Sequence, residues 1–456
     1  MVQVNVGTLT GDLTLPHVGN ATNPDAMLQI LRDHLRPAGD GAYEVRGCRL
    51  SRIRYRAGFR CVLQYTLRIA ELDSGKERDL PVSGAMYAAS GKAERTYRKL
   101  LSTDPRREIP DAWLVFDPVS FVSDLDMLVQ IFPYDRRLPA LPKLAAGPSP
   151  ALEKLLLGRF GEGDWLAKAW EVEPVRYRKG LSAVLAYTGR ARNRGTGETT
   201  VRRFYVKTQR EASGEDRALP AVREAAAGFL NIARPVAYLR DLKALVLDEV
   251  PGVSLEEFLL EGHNPTKTMR KIARDLAAFN QLDVIPERRH TLSDQISSLE
   301  RSGRLLAWAC PHLSPEVESI IAAVADGLEE VRPRPTHRDL KTDHVFLPGD
   351  RTALIDLDSL AAADPVLDPA LLMARLAAMP DLLPIPRNQA RIAARAFAEE
   401  YFARVPEAWR ERLHLHYAGA LLEVAHGFFR RQEPGWSAKI TGLVREAENS
   451  LRKGVR

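Results

Sequence analysis

The sequence predicts an α+β protein, because strand patterns occupy its first half and helical patterns most of its second. In the first half, alternating apolar and polar residues run into Gly-containing turns and return as strands. From residue 255 onward, apolar residues recur at helical spacing, as at Met269, Ile272 and Leu276. A short strand-rich stretch at 336–358 interrupts these helices. We therefore expect small sheets followed by a mostly helical part that contains a β-hairpin.

The strand-rich half contains an internal repeat. The segment 54–65, RYRAGFRCVLQY, recurs at 176–187 as RYRKGLSAVLAY, with seven of twelve positions identical at an offset of 122 residues. The apolar segments 128–133 and 245–252, which both contain a proline at or near their ends, extend the similarity. Each copy is therefore predicted to contain strands, one helix and further strands. Two unrelated sheets with similar Arg- and Tyr-rich strands are the alternative.

The repeat sets the predicted domain boundaries. The first copy is predicted at 1–138 and the second at 175–254. Between them, 139–174 is predicted to be a linker rich in Pro, Gly and Ala, followed by one amphipathic helix. The remaining residues, 255–456, form the predicted helical part. The expected order is thus two sheet-bearing copies before one helical half.

The composition limits the functional classes. The net charge of +6 arises from 65 basic and 59 acidic residues that are interspersed, which favours small anionic ligands over nucleic acid. The three cysteines lack the spacing of a zinc site or a disulfide framework. No apolar run reaches the roughly 18 residues that a membrane helix requires. We expect a cytoplasmic protein without a nucleic-acid partner or an integral membrane segment. The oligomeric state, a monomer included, stays open.

The stretch 336–358, THRDLKTDHVFLPGDRTALIDLD, contains the best candidates for chemistry. Asp339 lies just after His337, ahead of a predicted hairpin. Asp356 and Asp358 end the second apolar strand of this hairpin, and side chains alternate along a strand, so both are predicted to face one metal site. Oxygen-rich sites of this kind suit Mg²⁺. His337 is predicted to bond the loop backbone, because no cysteine or third histidine completes a zinc site.

Phosphoryl transfer needs a cation on the donor phosphates, metal ligands and a carboxylate that orients the acceptor hydroxyl. Asp339 and the two later aspartates are candidates for the carboxylate and the ligands. Lys207, at the end of an apolar strand, is the candidate for the phosphates. Glu224, in a helical segment 17 residues later, is predicted to pair with it, because a buried lysine without a partner loses its charge readily. Ordinary surface positions for both residues are the alternative.

Two later aspartates are predicted to be structural. Asp364 is predicted to satisfy backbone amides of a turn. Asp368 precedes a proline and the apolar run 371–379, which is the pattern of a helix N-cap with Pro at the first helical position.

The motif HRDLKTDH followed by IDLD resembles the H-x-D-x-x-x-x-N and metal-binding Asp motifs of the protein-kinase-like superfamily. The continuation IDLDSLAAADPVLDPALL is similar to the aminoglycoside phosphotransferase and choline kinase-like family. No Asp-Phe-Gly follows the strand, and no Ala-Pro-Glu segment appears, as they do in protein kinases. The resemblance covers 175–456. It implies a bilobal protein-kinase-like fold of the aminoglycoside phosphotransferase type, preceded by a second, degenerate N-lobe-like domain.

The resemblance also implies a function and a set of roles. It implies an ATP-dependent phosphotransferase that moves the γ-phosphate to a hydroxyl group of a small molecule and uses Mg²⁺, with Mn²⁺ as the alternative metal. Asp339 matches the family's catalytic base and Asp356 its metal-binding aspartate. The segment 246–255 resembles the hinge whose backbone contacts adenine. The candidates for cofactor binding are therefore Lys207, its partner Glu224 and, in the hinge, Asp248 and Val250.

The catalytic loop departs from the family pattern. His344 stands five residues after Asp339, where the family has a metal-binding Asn. Imidazole is a poorer Mg²⁺ ligand than an amide oxygen, so His344 is predicted to bind another metal, to act through water or to leave one metal weakly held. Asp343 or Asp358 is the candidate for compensation. Lys341 resembles the lysine of protein-kinase loops and is predicted to stabilise the transferring phosphoryl group, so a protein kinase is one alternative function.

The first copy lacks this chemistry. Ala85 or Met86 aligns with Lys207, so the first copy has no ammonium group for phosphates. We interpret it as a degenerate duplicate that serves packing, substrate capping or regulation. A catalytically silent nucleotide-binding pseudokinase or interaction protein is the second alternative function.

Overall fold

The computed structural model describes residues 14–38, 42–56, 58–210 and 215–454. The chain forms two compact units. The first unit consists of Met1–Ala212, Arg234–Glu249 and Arg430–Gln432, and the second of Ser213–Ala233, Val250–Phe429 and Glu433–Arg456. The mixture of helices and sheets confirms the predicted α+β class. The predicted domain boundaries at 138, 174 and 254 stay predictions.

The strands and helices are numbered along the chain. The strands are β1 (Tyr43–Arg56), β2 (Arg60–Glu71), β3 (Glu77–Tyr87), β4 (Val119–Val122), β5 (Met127–Ile131), β6 (Trp165–Arg178), β7 (Ser182–Asn193), β8 (Thr199–Gln209), β9 (Leu230–Ile232), β10 (Pro235–Leu239), β11 (Ala244–Asp248), β12 (Val253–Ser254), β13 (Arg334–Thr336), β14 (Val345–Leu347), β15 (Thr352–Leu354) and β16 (Ala361–Ala363). The α-helices are α1 (Val18–Ala21), α2 (Pro24–His34), α3 (Lys92–Leu101), α4 (Leu141–Ala145), α5 (Pro150–Leu157), α6 (Glu215–Ala226), α7 (Leu255–Leu260), α8 (Thr266–Asn280), α9 (Leu292–Ala309), α10 (Ser314–Gly327), α11 (Leu367–Ala378), α12 (Arg387–Phe402), α13 (Glu407–Glu411), α14 (Leu413–Arg431) and α15 (Trp436–Lys453).

The first unit contains two antiparallel five-stranded sheets. In one sheet the strand order is β1-β2-β3-β5-β4, and in the other it is β6-β7-β8-β11-β10. The two sheets confirm the internal repeat. β1, β2 and β3 have the same lengths as β6, β7 and β8, and each begins 122 residues before its counterpart. The pairing register is also the same, because Tyr55 lies opposite Cys61 and Tyr177 lies opposite Ala183.

The common register identifies the counterpart of the predicted phosphate-binding lysine. Lys207 in β8 lies opposite Val184 of β7. In the first sheet, 122 residues earlier, Ala85 in β3 lies opposite Val62 of β2. Of the two residues predicted for this position, Ala85 and Met86, the register selects Ala85. The first copy therefore has a methyl group where the second has an ammonium group.

In each of the two sheets, one buried tyrosine connects the sheet to a short helix. The two tyrosines occupy matching positions of the repeat. Tyr65 in β2 donates its hydroxyl hydrogen to the carbonyl oxygen of Ala21, at the end of α1, over 2.6 Å. Tyr187 in β7 donates to the carbonyl oxygen of Leu144 in α4. Both rings are buried. The last position of the repeated twelve-residue motif is thus tyrosine in both copies for the same structural reason.

We expect Tyr65→Phe and Tyr187→Phe to destabilise the first unit by about 1 kcal/mol each, because each change leaves a buried carbonyl oxygen without its donor. Urea unfolding followed by circular dichroism measures the change. Tyr43→Phe, at a half-buried position at the start of β1, is the control and is expected to have a smaller effect. Equal effects of all three changes would contradict the assigned role of the two hydroxyl groups.

The second unit is mostly helical. α8 packs against α12, and α9 packs against α10. The apolar stripe predicted on α8 is confirmed, since Met269, Ile272, Leu276 and Phe279 are all buried. These helices supply the core on which the loops of the unit rest.

Two small sheets in the second unit position its loops. One has the order β12-β14-β15-β9, and the other pairs β13 with β16. The predicted hairpin is confirmed as β14 and β15, in which Val345 lies opposite Leu354. β13 and β16 pair so that Thr336 lies opposite Ala361. The candidate catalytic residues therefore lie in short connections whose ends are held by strand pairing.

In the part of the chain that the structure describes, Cys48, Cys61 and Cys310 form no disulfide bond. Burial raises the pKa of the Cys48 thiol to about 12, which keeps this group protonated at neutral pH. Among the helices of the described ranges, none combines the length and the apolar character needed to cross a bilayer.

Candidate active site

The loop that follows β13 is organised by His337. The Nε2 atom of His337 lies 2.9 Å from the carbonyl oxygen of Ile355, and its Nδ1 atom accepts a hydrogen bond from the backbone N–H of Asp339 over 3.3 Å. An N–H group can only donate and a carbonyl oxygen can only accept, so the ring proton belongs on Nε2. The imidazole thus joins the loop to the end of the hairpin, which is the structural role predicted for it.

A buried carboxylate fixes the backbone of the same loop. Asp368 accepts hydrogen bonds from the backbone N–H groups of His337 and Arg338, each over 2.8 Å. The side-chain amide of Asn280 also donates to it over 3.0 Å. Burial raises the pKa of the Asp368 carboxyl, and these donors oppose the rise. Three donors from two directions therefore hold one fully buried carboxylate.

The predicted N-cap role of Asp368 was wrong. Val366 is the N-cap of α11, and Asp368 is the second residue of the helix. Its carboxylate faces the catalytic loop instead of the first amides of its own helix. Sequence reasoning missed this role. The available signal was a carboxylate inside an otherwise apolar, buried helix, where a charged group needs partners from elsewhere in the chain.

Asp364 bonds a backbone amide of the turn, as predicted, and it also contacts two side chains of a distant segment. Its carboxylate accepts a hydrogen bond from the backbone N–H of Val366 over 3.0 Å. It also forms an ion pair with Arg412 over 3.0 Å and lies 3.0 Å from Nε2 of His416. Burial alone would raise the pKa of the Asp364 carboxyl, but His416 and Arg412 together hold it well below its ordinary range.

The predicted base, Asp339, lies on this fixed loop beside a cation. The Nζ atom of Lys341 is 2.8 Å from one carboxylate oxygen of Asp339. Burial pushes the pKa of the Asp339 carboxyl upward, but the neighbouring Lys341 ammonium outweighs it and the pKa lies below its ordinary value. A carboxyl group with a lowered pKa is ionised at neutral pH. Asp339 is therefore available as a hydrogen-bond acceptor.

His344 is buried with one ring nitrogen directed at a carboxylate. Its Nδ1 atom lies 2.9 Å from the carbonyl oxygen of Asp339, so Nδ1 carries the hydrogen. Its Nε2 atom lies 3.4 Å from Oδ2 of Asp356. Burial lowers the pKa of His344 to about 4, with a further contribution from Lys341. The Nε2 lone pair of a neutral imidazole therefore faces a carboxylate oxygen.

Asp339, His344 and Asp356 form a three-residue group that fits a divalent cation. Each offers one ligand atom, and these atoms all lie within 4.8 Å of one another. Histidines that bind metals usually donate the other ring N–H to a carbonyl or carboxylate, as His344 does here. The donor set mixes oxygen and nitrogen, which suits Mn²⁺ better than it suits Mg²⁺.

The strand argument for Asp358 was wrong. β15 ends at Leu354, Asp356 has a left-handed backbone with φ of 58°, and Asp358 lies in a short 3-10 helix at Leu357–Ser359. Strand alternation therefore does not apply to these residues. In the part of the chain that the structure describes, the group of converging ligand atoms contains Asp339 in place of Asp358. A role for Asp358 as a metal ligand stays a prediction.

The candidates for nucleotide binding lie on several elements. Lys207 is buried in β8 of the first unit. Asp248, at the end of β11, forms a two-point ion pair with Arg159. Glu224 is exposed on α6 of the second unit, and Val250 is half-buried where that unit resumes. The predicted pairing of Lys207 with Glu224 and the predicted adenine contacts stay predictions.

The sequence similarity defines a phosphotransferase. The chain belongs to the phosphotransferase enzyme family, whose profile matches residues 185–416. This match spans 232 of the 456 residues. It confirms the resemblance that the catalytic-loop motifs indicated, and it includes Lys207, the loop after β13 and the hairpin.

Solved structures with low sequence identity are also similar. A choline/ethanolamine kinase family protein from Mesorhizobium loti is 16% identical, with 68% of this chain and 92% of that chain covered and a TM-score of 0.41. An ethanolamine kinase from Plasmodium vivax is 9% identical, with 71% and 97% covered and a TM-score of 0.44. An aminoglycoside phosphotransferase from Streptomyces rimosus is 20% identical, with 59% and 97% covered and a TM-score of 0.34. Comparison with curated proteins gives no match. The family assignment therefore rests on the match to residues 185–416.

We expect Asp368→Asn to destabilise the second unit by about 3 kcal/mol, because the amide cannot accept from both backbone N–H groups and places its own NH₂ against one of them. Urea unfolding measures the loss, and hydrogen exchange of the loop after β13 is expected to accelerate. Asp326→Asn, at an exposed position on α10, is the matched control. If the loop exchanges as slowly in Asp368→Asn as in the unaltered protein, the carboxylate does not hold the loop.

Proposed function

We propose that this protein is an ATP-dependent phosphotransferase that moves the γ-phosphate to a hydroxyl group of a small molecule. The observation that carries the proposal is the position of Asp339, which is paired with Lys341 on a loop whose backbone is fixed by Asp368. Phosphoryl transfer depends mainly on positioning and on electrostatic stabilisation, so a rigid loop with an ionised carboxylate suits it. Membership of the phosphotransferase family supports the same reaction class.

Asp339 is the proposed base and orienting group. An ionised carboxylate accepts a hydrogen bond from the acceptor hydroxyl and directs its oxygen toward the phosphorus atom for in-line attack. The proton of the hydroxyl then passes to Asp339 as the new O–P bond forms and the bond from the γ-phosphorus to the oxygen that bridges it to the β-phosphate breaks, so that ADP leaves. Lys341 lies 2.8 Å from the carboxylate and is proposed to stabilise negative charge on the transferring phosphoryl group.

His344 and Asp356 are the proposed metal ligands, with Asp339 close enough to contribute. A divalent cation supplies charge neutralisation at the phosphates when it is bound. The residues of this chain orient the ligand atoms: the carbonyl oxygen of Asp339 fixes the ring of His344, and burial keeps its Nε2 atom unprotonated. Mg²⁺ is the metal that the family resemblance implies, and the imidazole favours Mn²⁺.

The second copy of the repeat is the proposed nucleotide-binding copy. Lys207, buried in β8, is proposed to contact the phosphates, with Glu224 as its partner. Backbone groups near Asp248 and Val250 are proposed to contact adenine. The side chain of Asp248 is held by Arg159, and its backbone N–H donates to the carbonyl oxygen of Arg234, so the carbonyl oxygen of Asp248 is the group proposed for this contact.

Asp339→Asn is expected to reduce ATP-dependent transfer by at least about 100-fold, because the amide cannot accept the proton of the hydroxyl. Binding of ATP is expected to persist, measured as a rise in melting temperature with added ATP and metal. A screen of ATP consumption against hydroxyl-bearing metabolites supplies the acceptor. Asp350→Asn, at the exposed turn of the same hairpin, is the control.

The outcomes of this experiment separate the alternatives. Full turnover in Asp339→Asn would refute the assignment of the base. ATP binding without turnover in the unaltered protein would indicate a catalytically silent nucleotide-binding protein. Phosphate found on protein targets, or on the chain itself, would indicate a protein kinase.

The unaltered protein is expected to bind Mn²⁺ more tightly than Mg²⁺ by about tenfold or more, because imidazole nitrogen prefers the softer ion. His344→Asn restores the amide oxygen that the family has at this position, so the preference for Mn²⁺ is expected to fall. Titration calorimetry with each metal measures both affinities independently of turnover. The same Mn²⁺ to Mg²⁺ ratio in both proteins would show that His344 is not a ligand.

A further inference from the structure

The segment that follows β5 of the first copy binds the hairpin turn of the second copy, within the first unit. Asp135 lies four residues after β5 and is 4% exposed. Its Oδ2 atom accepts a hydrogen bond from the backbone N–H of Gly180 over 2.7 Å and one from the hydroxyl of Tyr177 over 2.9 Å. The Nζ atom of Lys179 lies 3.6 Å from its Oδ1 atom. One carboxylate thus contacts two residues of the turn between β6 and β7 and one residue at the end of β6.

Other residues of the first copy contact the same turn. Lys179 also donates to the carbonyl oxygen of Tyr134 over 3.1 Å. Arg54 of β1 donates to the carbonyl oxygen of Lys179, and Gln64 of β2 donates to that of Tyr177, each over 3.0 Å. Both N–H and C=O groups of the turn are therefore bonded by the first copy. The turn is held by several independent polar contacts.

Among the described residues, the carboxylate contact is present at one of the two matching glycines of the repeat. Gly58 occupies the position of Gly180 in the first copy, and both have positive φ, of 64° and 67°. Among the described residues, no carboxylate accepts a hydrogen bond from the N–H of Gly58. The turn that is held by a carboxylate is therefore the one in the sheet that contains Lys207. The copy that lacks the lysine supplies the carboxylate.

The energetics of the contact argue for a role beyond packing. Placing a carboxylate and an ammonium group in the protein interior costs free energy that pairing offsets only when the hydrogen bonds are good. Burial lowers the pKa of Lys179 to about 8, against the opposing effect of Asp135. A pair of apolar side chains would join the two segments with less desolvation. What a buried carboxylate adds is direction, because it fixes individual N–H and O–H groups.

We propose that Asp135 is a positioning residue that fixes the turn between β6 and β7 for nucleotide binding, so that the first copy acts as a permanent support for the second. This inference rests on the proposed function. In protein kinases the corresponding turn is a Gly-rich loop that covers the nucleotide phosphates. Here the amide of Gly180 and the ammonium of Lys179 already bind a carboxylate. The turn is therefore ordered before any nucleotide arrives, so the binding free energy is not reduced by the entropy of ordering this turn.

Hydrogen exchange of the full chain tests whether Asp135 holds the turn. Asp135→Asn keeps the shape of the side chain and removes its charge. Exchange in the peptide that contains Gly180 is expected to accelerate about tenfold or more, while exchange in the middle of β7 stays unchanged. Asp124→Asn, at an exposed position just before β5, is the matched control. Unchanged exchange at the turn, or equal acceleration throughout the second sheet, would overturn the proposal.

A second variant approaches the same contact from the turn. Lys179→Met removes the cation and is expected to accelerate exchange of the turn in the same direction. Because Asp135 and Lys179 are in contact, the double variant is expected to show less than the product of the two single effects. Independent, multiplicative effects would show that the two side chains do not act through one contact.

The kinetic consequence is a change in nucleotide affinity. In Asp135→Asn the KM for ATP is expected to rise about fivefold to tenfold, with kcat within about twofold, since the turn must then be ordered by the nucleotide itself. An unchanged KM together with faster exchange would refute the positioning role. If the unaltered protein neither binds nor consumes ATP, the proposed function fails, and the exchange data still decide whether Asp135 holds the turn.

Discussion

The hydrogen bonds from the backbone of the catalytic loop to Asp368 are the contacts on which the candidate site depends. They fix the peptide groups on both sides of His337, whose ring then reaches the end of the hairpin and bonds the amide of Asp339. The carbonyl oxygen of Asp339 in turn orients His344 toward Asp356. The positions of Asp339 and His344 thus depend on polar contacts that begin at one buried carboxylate. Preorganisation of this kind is what electrostatic catalysis requires.

The two copies of the repeat share a backbone fold but differ in the side chains that they contribute. Both copies keep the strand lengths, the pairing register and the tyrosine that bonds a preceding helix. Only the second keeps the lysine, and Ala85 takes its place in the first. The first copy supplies Asp135 to the turn of its duplicate. A repeat without the lysine can in this way order part of its neighbour.

The fold was more predictable from the sequence than the contacts of the site. The repeat, the hairpin and the helical stripes leave periodic patterns, and these were recognised. The strand extension through Asp356 was not correct, because nothing local signals that β15 ends at Leu354 and that the next turn is left-handed. Asp368 had the local pattern of a helix cap, but its partners lie about 30 residues earlier. Asp135 and Gly180 are 45 residues apart, and a contact between irregular segments has no periodic trace in the sequence.

The left-handed backbone of Asp356 has a consequence for how this site can diversify. A residue with φ of 58° is tolerated for Asp, Asn and Gly far better than for longer or branched side chains. A change of Asp356 to Glu would keep the negative charge but strain the main chain. The usual conservative substitution of one acidic residue by the other is therefore disfavoured here. The candidate ligand position 344, by contrast, lies in a 3-10 helix, a conformation open to most residues. The histidine found there is an example of variation at such a position.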